Sequence, residues 1–463
     1  MRIVVLGGGP GGYQAAFEAA RLGAEVALIE KAPEELGGTC LNWGCVPTKT
    51  ILRTARIVHD VSRAERFALD AAPASVDVSR LRERKEAVVT DLRGQIASQA
   101  KRLGVEVVYG FGRMSSPNAV EVSGEDGTTM VEGDAVIIAT GSKVFRLPGI
   151  DHDLPRVWTS DEAVSLTEIP ARVLIIGGGI IGLEFACAYA AFGSEVTVVE
   201  LMPTVMPGND KRVTKAVQKA LEGMGVTFHL GTKASSVEQD GETMRTTLES
   251  GETILTDVVL SAVGRMPNSE GMGFEEVGIE KDRAAVKVDE HFRTNVEGVY
   301  AIGDVIGGMM LAHVAEEEGV IAARNAVAEL QTVGAEAKLE TMRYDTVPAC
   351  VYTFPEVAVV GSSRDSAKER GIDCVQAVVK FAANGKALAE GEGEGFVQMV
   401  AEKGTGAIIG CQIVGPHAVE IVHEVAVAMG CGSTVERLAH ATHAHPTVSE
   451  VIKMAAAAAA AQC

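Results

Sequence analysis

Residues 1–30 read MRIVVLGGGPGGYQAAFEAARLGAEVALIE, and this stretch decides the fold. Ile3 to Leu6 is a short apolar run suited to a buried strand. Gly7, Gly9 and Gly12 follow, then a helical pattern over 12–22 and a second apolar strand that ends at Glu30. The pattern returns at 173–200, VLIIGGGIIGLEFACAYAAFGSEVTVVE. There Val173 to Ile176 is the strand, Gly177, Gly179 and Gly182 make the turn, and Glu200 is the closing acid. In both copies the acid lies 23 residues after the first glycine. One such turn is a weak signal; two with matching strands and acids form an internal repeat.

The repeat has a chemical reading. The first two glycines let the backbone turn tightly and lie close to a pyrophosphate, and the third lets helix pack on strand. The helix N-terminus then offers free amides and a partial positive charge to phosphate. An acid at the end of the second strand accepts hydrogen bonds from ribose hydroxyls, which suits Glu30 and Glu200. A carboxylate at Glu200 also repels a 2′-phosphate, and no arginine follows it until Arg212, so NAD is favoured over NADP.

Composition bounds the remaining possibilities. At 463 residues the chain is too long for one ordinary core and is expected to fold as three or four domains. A hydrophobic fraction of 47% with 22% charged residues belongs to a globular protein rather than a disordered one. The net charge of −20 argues against nucleic acid as a partner, which needs a basic face. It suits solubility or a basic protein partner. No apolar run reaches membrane-spanning length, and the opening MRIVVLGGGPGG is a strand and turn rather than a signal peptide. A cytoplasmic location is expected. Eight cysteines are too few for a disulfide framework, so a disulfide in a reducing compartment would be catalytic or regulatory.

Cys40 and Cys45 stand out among them, in GGTCLNWGCVPTK at 37–49. Four intervening residues can bring both sulfurs to one face at a helix start, where a thiolate is stabilised. Lys49 lies one helical turn beyond Cys45. Near the other end, HAHPTVSE at 443–450 places His445 five residues before Glu450. An imidazole titrates near neutral pH and can take and return a thiol proton, with a carboxylate to orient it. A metal reading of His440, His443 and His445 lacks a convincing third ligand, so no metal is expected.

These motifs together resemble the pyridine nucleotide-disulfide oxidoreductases. The resemblance continues through ATGS (139–142), GGGIIGLEFA (177–186), AVGRMPN (262–268) and AIGDV (301–305), and covers nearly the whole chain. MLAHVAEEEG (310–319) and HAHPTVSE are most similar to the dihydrolipoamide dehydrogenase branch. The resemblance implies FAD held by Gly7, Gly9, Pro10, Gly12, Glu30, Lys31, Gly38, Thr39, Lys49, Gly112, Thr140, Gly141, Ser142, Asp304, Met310, Leu311, Ala312 and His313. It implies NAD held by Gly177, Gly179, Ile181, Gly182, Glu200 and Gly264. It further implies a Lys49–Glu184 ion pair beside the flavin, Cys45 facing the flavin and Cys40 facing the substrate. His445 with Glu450 would serve as the base, meeting the cysteines across a homodimer interface. The partner would be a lipoyl-bearing protein of a 2-oxoacid dehydrogenase complex or the glycine cleavage system.

The expected architecture is α/β, with two Rossmann-like dinucleotide-binding domains and an α+β dimerisation domain. The expected boundaries are 1–148 for FAD and the redox disulfide, 149–270 for NAD, 271–340 for a central domain completing the FAD site, and 341–463 for the interface. The nearest rival is another flavin enzyme of this fold, a mercuric reductase or a reductase of a different low-molecular-weight disulfide; a mercuric reductase would carry a vicinal cysteine pair near the C-terminus, where only Cys463 follows a run of alanines. A soluble transhydrogenase would lack the cysteine pair. A purely structural docking subunit is at odds with the intact redox segment.

Overall fold

The run RIVVL forms the strand Arg2–Leu6, the centre of a five-stranded parallel sheet. Across that sheet the strands run Val299–Ala301, Ala135–Ile138, Arg2–Leu6, Glu25–Glu30 and Glu106–Tyr109. Ile3 pairs with Val26 on one side and Ala135 on the other. Alternate side chains feed two separate cores. Ile3, Val5, Leu28 and Ile137 pack in one, and Val4, Leu6, Ile29 and Ile138 in the other. A strand buried on both faces needs a continuous apolar run, as RIVVL and EVALIE supply. This computed structural model describes residues 1–125, 127–332 and 337–463.

The chain divides into two compact units that interleave along the sequence. One comprises Met1–Thr50, Arg82–Phe145 and Gly264–Met342; the other comprises Ile51–Leu81, Arg146–Val263 and Arg343–Cys463. The second unit holds the repeat of the glycine fold. Its parallel sheet runs Thr227–Leu230, Glu195–Glu200, Arg172–Ile176, Val258–Ser261 and Val157–Trp158.

The C-terminal part of that unit is a five-stranded antiparallel sheet, in the order Pro348–Val351, Glu356–Gly361, Ile408–Gly415, Phe396–Glu402 and Cys374–Lys380. The sequence patterns pick out the other four strands; the central one, IIGCQIVG, is apolar on both sides and shows no alternation. The helices Ala418–Gly430 and Glu450–Ala460 share one core cluster with this sheet. The alanine run is therefore ordered. Ala455, Ala456 and Ala459 are fully buried, and their short side chains allow close approach to the strands. Among the described residues no helix is long and apolar enough to cross a membrane.

Candidate functional site

Both glycine turns form cradles. Gly7 has φ +112°, and a Cβ there would sit 2.3 Å from the Ala139 carbonyl oxygen. A Cβ on Gly12 would sit 1.8 Å from the Gly7 carbonyl oxygen, and one on Gly182 would sit 2.0 Å from that of Gly177. Only glycine lets the following helix press on the turn. Gly9 opens the helix Pro10–Arg21 and Gly179 opens Ile180–Phe192; neither first turn is capped by a side chain. Uncapped amides at a helix start are the donors a pyrophosphate needs. Pro10 and Ile181 stand in those first turns.

The two acids close the cradles in the same way. Glu30 accepts from the Gly8 N–H at 2.8 Å and from the Lys31 N–H at 2.6 Å. Burial pushes its carboxyl up to about 7, while those two N–H donors pull it down. Glu200 accepts from the Gly178 N–H at 2.6 Å and the Met202 N–H at 2.7 Å. The ammonium of Lys31 pairs with Glu35 at 3.2 Å and is largely exposed.

In the first unit the redox segment is a short helix, Gly38–Asn42, followed by Cys45–Ser62. Cys45 is the first residue of the longer helix. Asn42 locks the connection: its side-chain amide donates to the Glu35 and Gly38 carbonyls, both at 3.0 Å, and Arg93 donates to its oxygen at 2.6 Å. Neither cysteine is in a disulfide here, and the Cys40 thiol hydrogen-bonds Cys45. That bond, then burial, raises the Cys40 thiol far above its ordinary value; the charge of Lys49 works in the opposite direction. Cys45 stands at the N-terminus of its helix, where the helix dipole favours an anion.

A network absent from the sequence reading lies beside this segment. Arg265 donates to the Ser142 hydroxyl at 2.8 Å, to the Ser142 carbonyl at 2.9 Å and to the Thr39 hydroxyl at 3.3 Å. The Ser142 hydroxyl donates in turn to Asp304. Thr39 immediately precedes Cys40, so one guanidinium joins the redox segment to Asp304. AVGRMPN contained the arginine, but nothing in its spacing pointed to partners 123 and 226 residues away.

The other expected residues of this unit have local roles. Thr140 donates to the Asn268 carbonyl at 2.8 Å, and Gly141 accepts from the Asn268 N–H at 2.9 Å. The Gly264 carbonyl accepts from the Phe145 N–H at 3.1 Å. Gly112 is small because a Cβ would meet Leu6 at 2.4 Å. Met310 and Leu311 lead into the helix Ala312–Gln331, where Ala312 and His313 open an uncapped first turn. Glu318 on that helix, also missed, accepts from the buried Gly303 N–H at 2.7 Å.

The second unit carries the remaining candidates. Glu184 is buried on Ile180–Phe192 and accepts from the Tyr352 N–H at 3.1 Å. His445 Nδ1 lies 3.0 and 3.2 Å from the two oxygens of Glu450. The Thr447 N–H, then His445, hold the Glu450 carboxyl below the usual range. The rest of the His445 side chain is exposed. His440 turns to the Glu436 carbonyl at 2.8 Å and His443 to Glu424 at 2.7 Å, so the three histidines address different partners. Among the described residues no cluster of three or more His, Cys, Asp or Glu is placed to hold a metal.

Comparison with known proteins bears on the whole arrangement. Residues 1–319 match the pyridine nucleotide-disulphide oxidoreductase model, and residues 347–456 match the dimerisation domain of the same family. The chain belongs to the pyridine nucleotide-disulphide oxidoreductases. It is 42% identical to leghemoglobin reductase of Vigna unguiculata, over 98% of this chain and 87% of that one. It is 40% identical to dihydrolipoyl dehydrogenase of Haloferax volcanii, over 98% and 95%, and 40% identical to the mitochondrial dihydrolipoyl dehydrogenase of Pisum sativum, over 98% and 91%. Among solved structures it is similar to LpdA of Mycobacterium tuberculosis, with a TM-score of 0.91, 30% identity and 99% of each chain covered.

As a pyridine nucleotide-disulphide oxidoreductase the protein uses FAD and NAD, and the two glycine cradles fit two dinucleotides. Its C-terminal sheet and helices are the segment through which members of the family dimerise.

Proposed function

We propose that this oxidoreductase oxidises protein-bound dihydrolipoyl groups to the disulfide, with NAD+ as final acceptor. The observation that carries the reading is the His445–Glu450 dyad, 3.0 Å apart, in a chain that also holds the Cys40–Cys45 pair. A dithiol substrate needs a base, and a ring with one nitrogen held by a carboxylate and the other exposed is suited to that task. The full-length likeness to dihydrolipoyl dehydrogenases supports it.

In the proposed cycle His445 takes a proton from one substrate thiol, and the thiolate attacks Cys40 of the oxidised pair. A substrate–Cys40 disulfide forms as the Cys40–Cys45 bond breaks, leaving a thiolate on Cys45. The second substrate thiol, deprotonated in turn, attacks the first substrate sulfur and expels Cys40. The substrate leaves as a disulfide; of its two thiol protons, His445 returns one to the expelled Cys40 and passes the other to solvent, so the protein keeps a Cys40 thiol and a Cys45 thiolate. FAD, when bound, would supply a two-electron acceptor for the reduced cysteines and a hydride donor for NAD+. Gly7, Gly9, Gly12, Glu30 and Asp304 would hold FAD; Gly177, Gly179, Gly182 and Glu200 would hold NAD. Lys49 and Glu184 would form the charged edge beside the flavin, with Cys45 facing the ring.

The active form is a homodimer in which each copy supplies His445 to the other's cysteines. The partner is a lipoyl-bearing protein, and the setting is a reducing compartment, the cytoplasm. A substrate panel tests the reading: dihydrolipoamide, glutathione disulfide and mercuric ion, each with NAD(H) and NADP(H). Dihydrolipoamide with NAD+ should dominate. Preferred turnover of either alternative acceptor would overturn the assignment.

A further inference from the structure

The strap that carries His445 is anchored by residues the proposed cycle does not use. It runs from the helix Val435–His440 to the helix Glu450–Ala460. Within it the His443 side chain is 9% exposed, whereas that of His445 is 78% exposed. His443 Nε2 lies 2.7 Å from Glu424 Oε1, on the helix Ala418–Gly430. Its Nδ1 lies 3.1 Å from the Ala441 carbonyl oxygen. Both partners are acceptor oxygens, one of a carboxylate and one of a carbonyl, so the ring is held from both of its nitrogens. After the Thr447 N–H and His445, His443 also favours the carboxylate form of Glu450. Glu450 in turn holds His445 Nδ1.

An exposed ring has no packing to fix its direction. The aim of His445 is therefore set by the backbone of the strap and by Glu450, and both lead back to His443. We propose that Glu424 and His443 form a positioning pair that sets the aim of His445 toward the thiol substrate. This rests on the reading of His445 as the base. Proton transfer requires hydrogen-bond reach of about 2.6–3.2 Å. A shift of about 1 Å in a catalytic group can cost a factor of about 100.

The test compares Glu424→Gln, His443→Gln and the double variant in the full-length, FAD-loaded protein. Each single change should lower kcat for dihydrolipoamide by about tenfold or more, within the range that misplacement produces. The KM for dihydrolipoamide and NADH oxidation by ferricyanide should change little. The double variant should lose no more than the weaker single one, because both changes remove one contact. In His443→Gln the acid limb of the kcat/KM profile should move to higher pH, since His443 no longer favours the Glu450 carboxylate that holds His445; a merely structural role would leave the limb in place. Glu424→Gln is isosteric and removes only the carboxylate charge that holds His443, so it decides the matter if His443→Gln fails to fold. Wild-type dithiol turnover in both singles, additive losses in the double, or equal loss of dithiol and ferricyanide turnover would overturn the pair. His445→Gln separates the two readings. If it keeps dithiol turnover, the base assignment falls. If it loses turnover while both positioning variants keep theirs, only the positioning pair falls.

Discussion

Glu30 offers the sharpest test of the first cradle, through the substitution Glu30→Gln in nucleotide-free protein. Burial draws its carboxyl from 4.5 up to about 7. The folded protein thus holds a proton there more tightly than the unfolded chain. That contribution to stability is complete below about pH 4.5 and is lost as pH rises through about 7. A rise of this size corresponds to about 3 kcal/mol across the window. Glutamine cannot ionise, so the variant lacks this slope. It can still accept from the Gly8 N–H but not also from Lys31, a loss of about 1 kcal/mol that does not depend on pH. Urea unfolding of both proteins from pH 4.5 to 8 gives a difference curve in which the other titrating groups cancel. The wild type should lose about 3 kcal/mol relative to the variant across that range. A curve flat to within about 0.5 kcal/mol would refute the buried carboxyl. FAD should show the opposite trend, because ribose hydroxyls donate to the ionised form: wild-type affinity should rise with pH through about 7, and that of the variant should not.

Other predictions concern the thiols, the second cradle, the dimer and the core. Cys45→Ser should keep FAD, seen by its visible absorbance, while dihydrolipoamide oxidation disappears; full retained activity would remove the redox assignment. Glu200→Gly should narrow the preference for NAD over NADP by about tenfold or more in kcat/KM, since a like charge against the 2′-phosphate is removed. Coexpressing Cys45→Ser with His445→Gln at equal levels should restore roughly a quarter of wild-type turnover, because half the dimers would carry one intact shared site; no recovery would place each site within a single copy. Ala459→Leu should lower stability by about 1–3 kcal/mol, read as a lower Tm, by overfilling a fully buried contact.

The local code of this chain is explicit where one element determines its own neighbours. Three glycines at G-x-G-x-x-G spacing, an apolar strand on either side and a closing acid specify each cradle, because backbone clearance at Gly7, Gly12 and Gly182 is a short-range requirement. The Cys40–Cys45 spacing likewise lets the two thiols meet where the short helix Gly38–Asn42 gives way to Cys45–Ser62. The five-residue spacing of His445 and Glu450 suggested the dyad, and the structure puts the two in contact.

Tertiary structure decided whatever depends on segments far apart in sequence. Val299–Ala301 returns to complete a sheet begun at Arg2, and Ile408–Gly415 becomes a central strand although its apolar run shows no alternation. Arg265 gains its meaning only from Ser142 and Thr39, and His443 only from Glu424 on another helix. The alanine tail reads as filler until the sheet it packs against is in place. Periodicity tells each element which face to bury; which partner fills that face, and which polar group is met there, follows from long-range packing that no single stretch of sequence encodes.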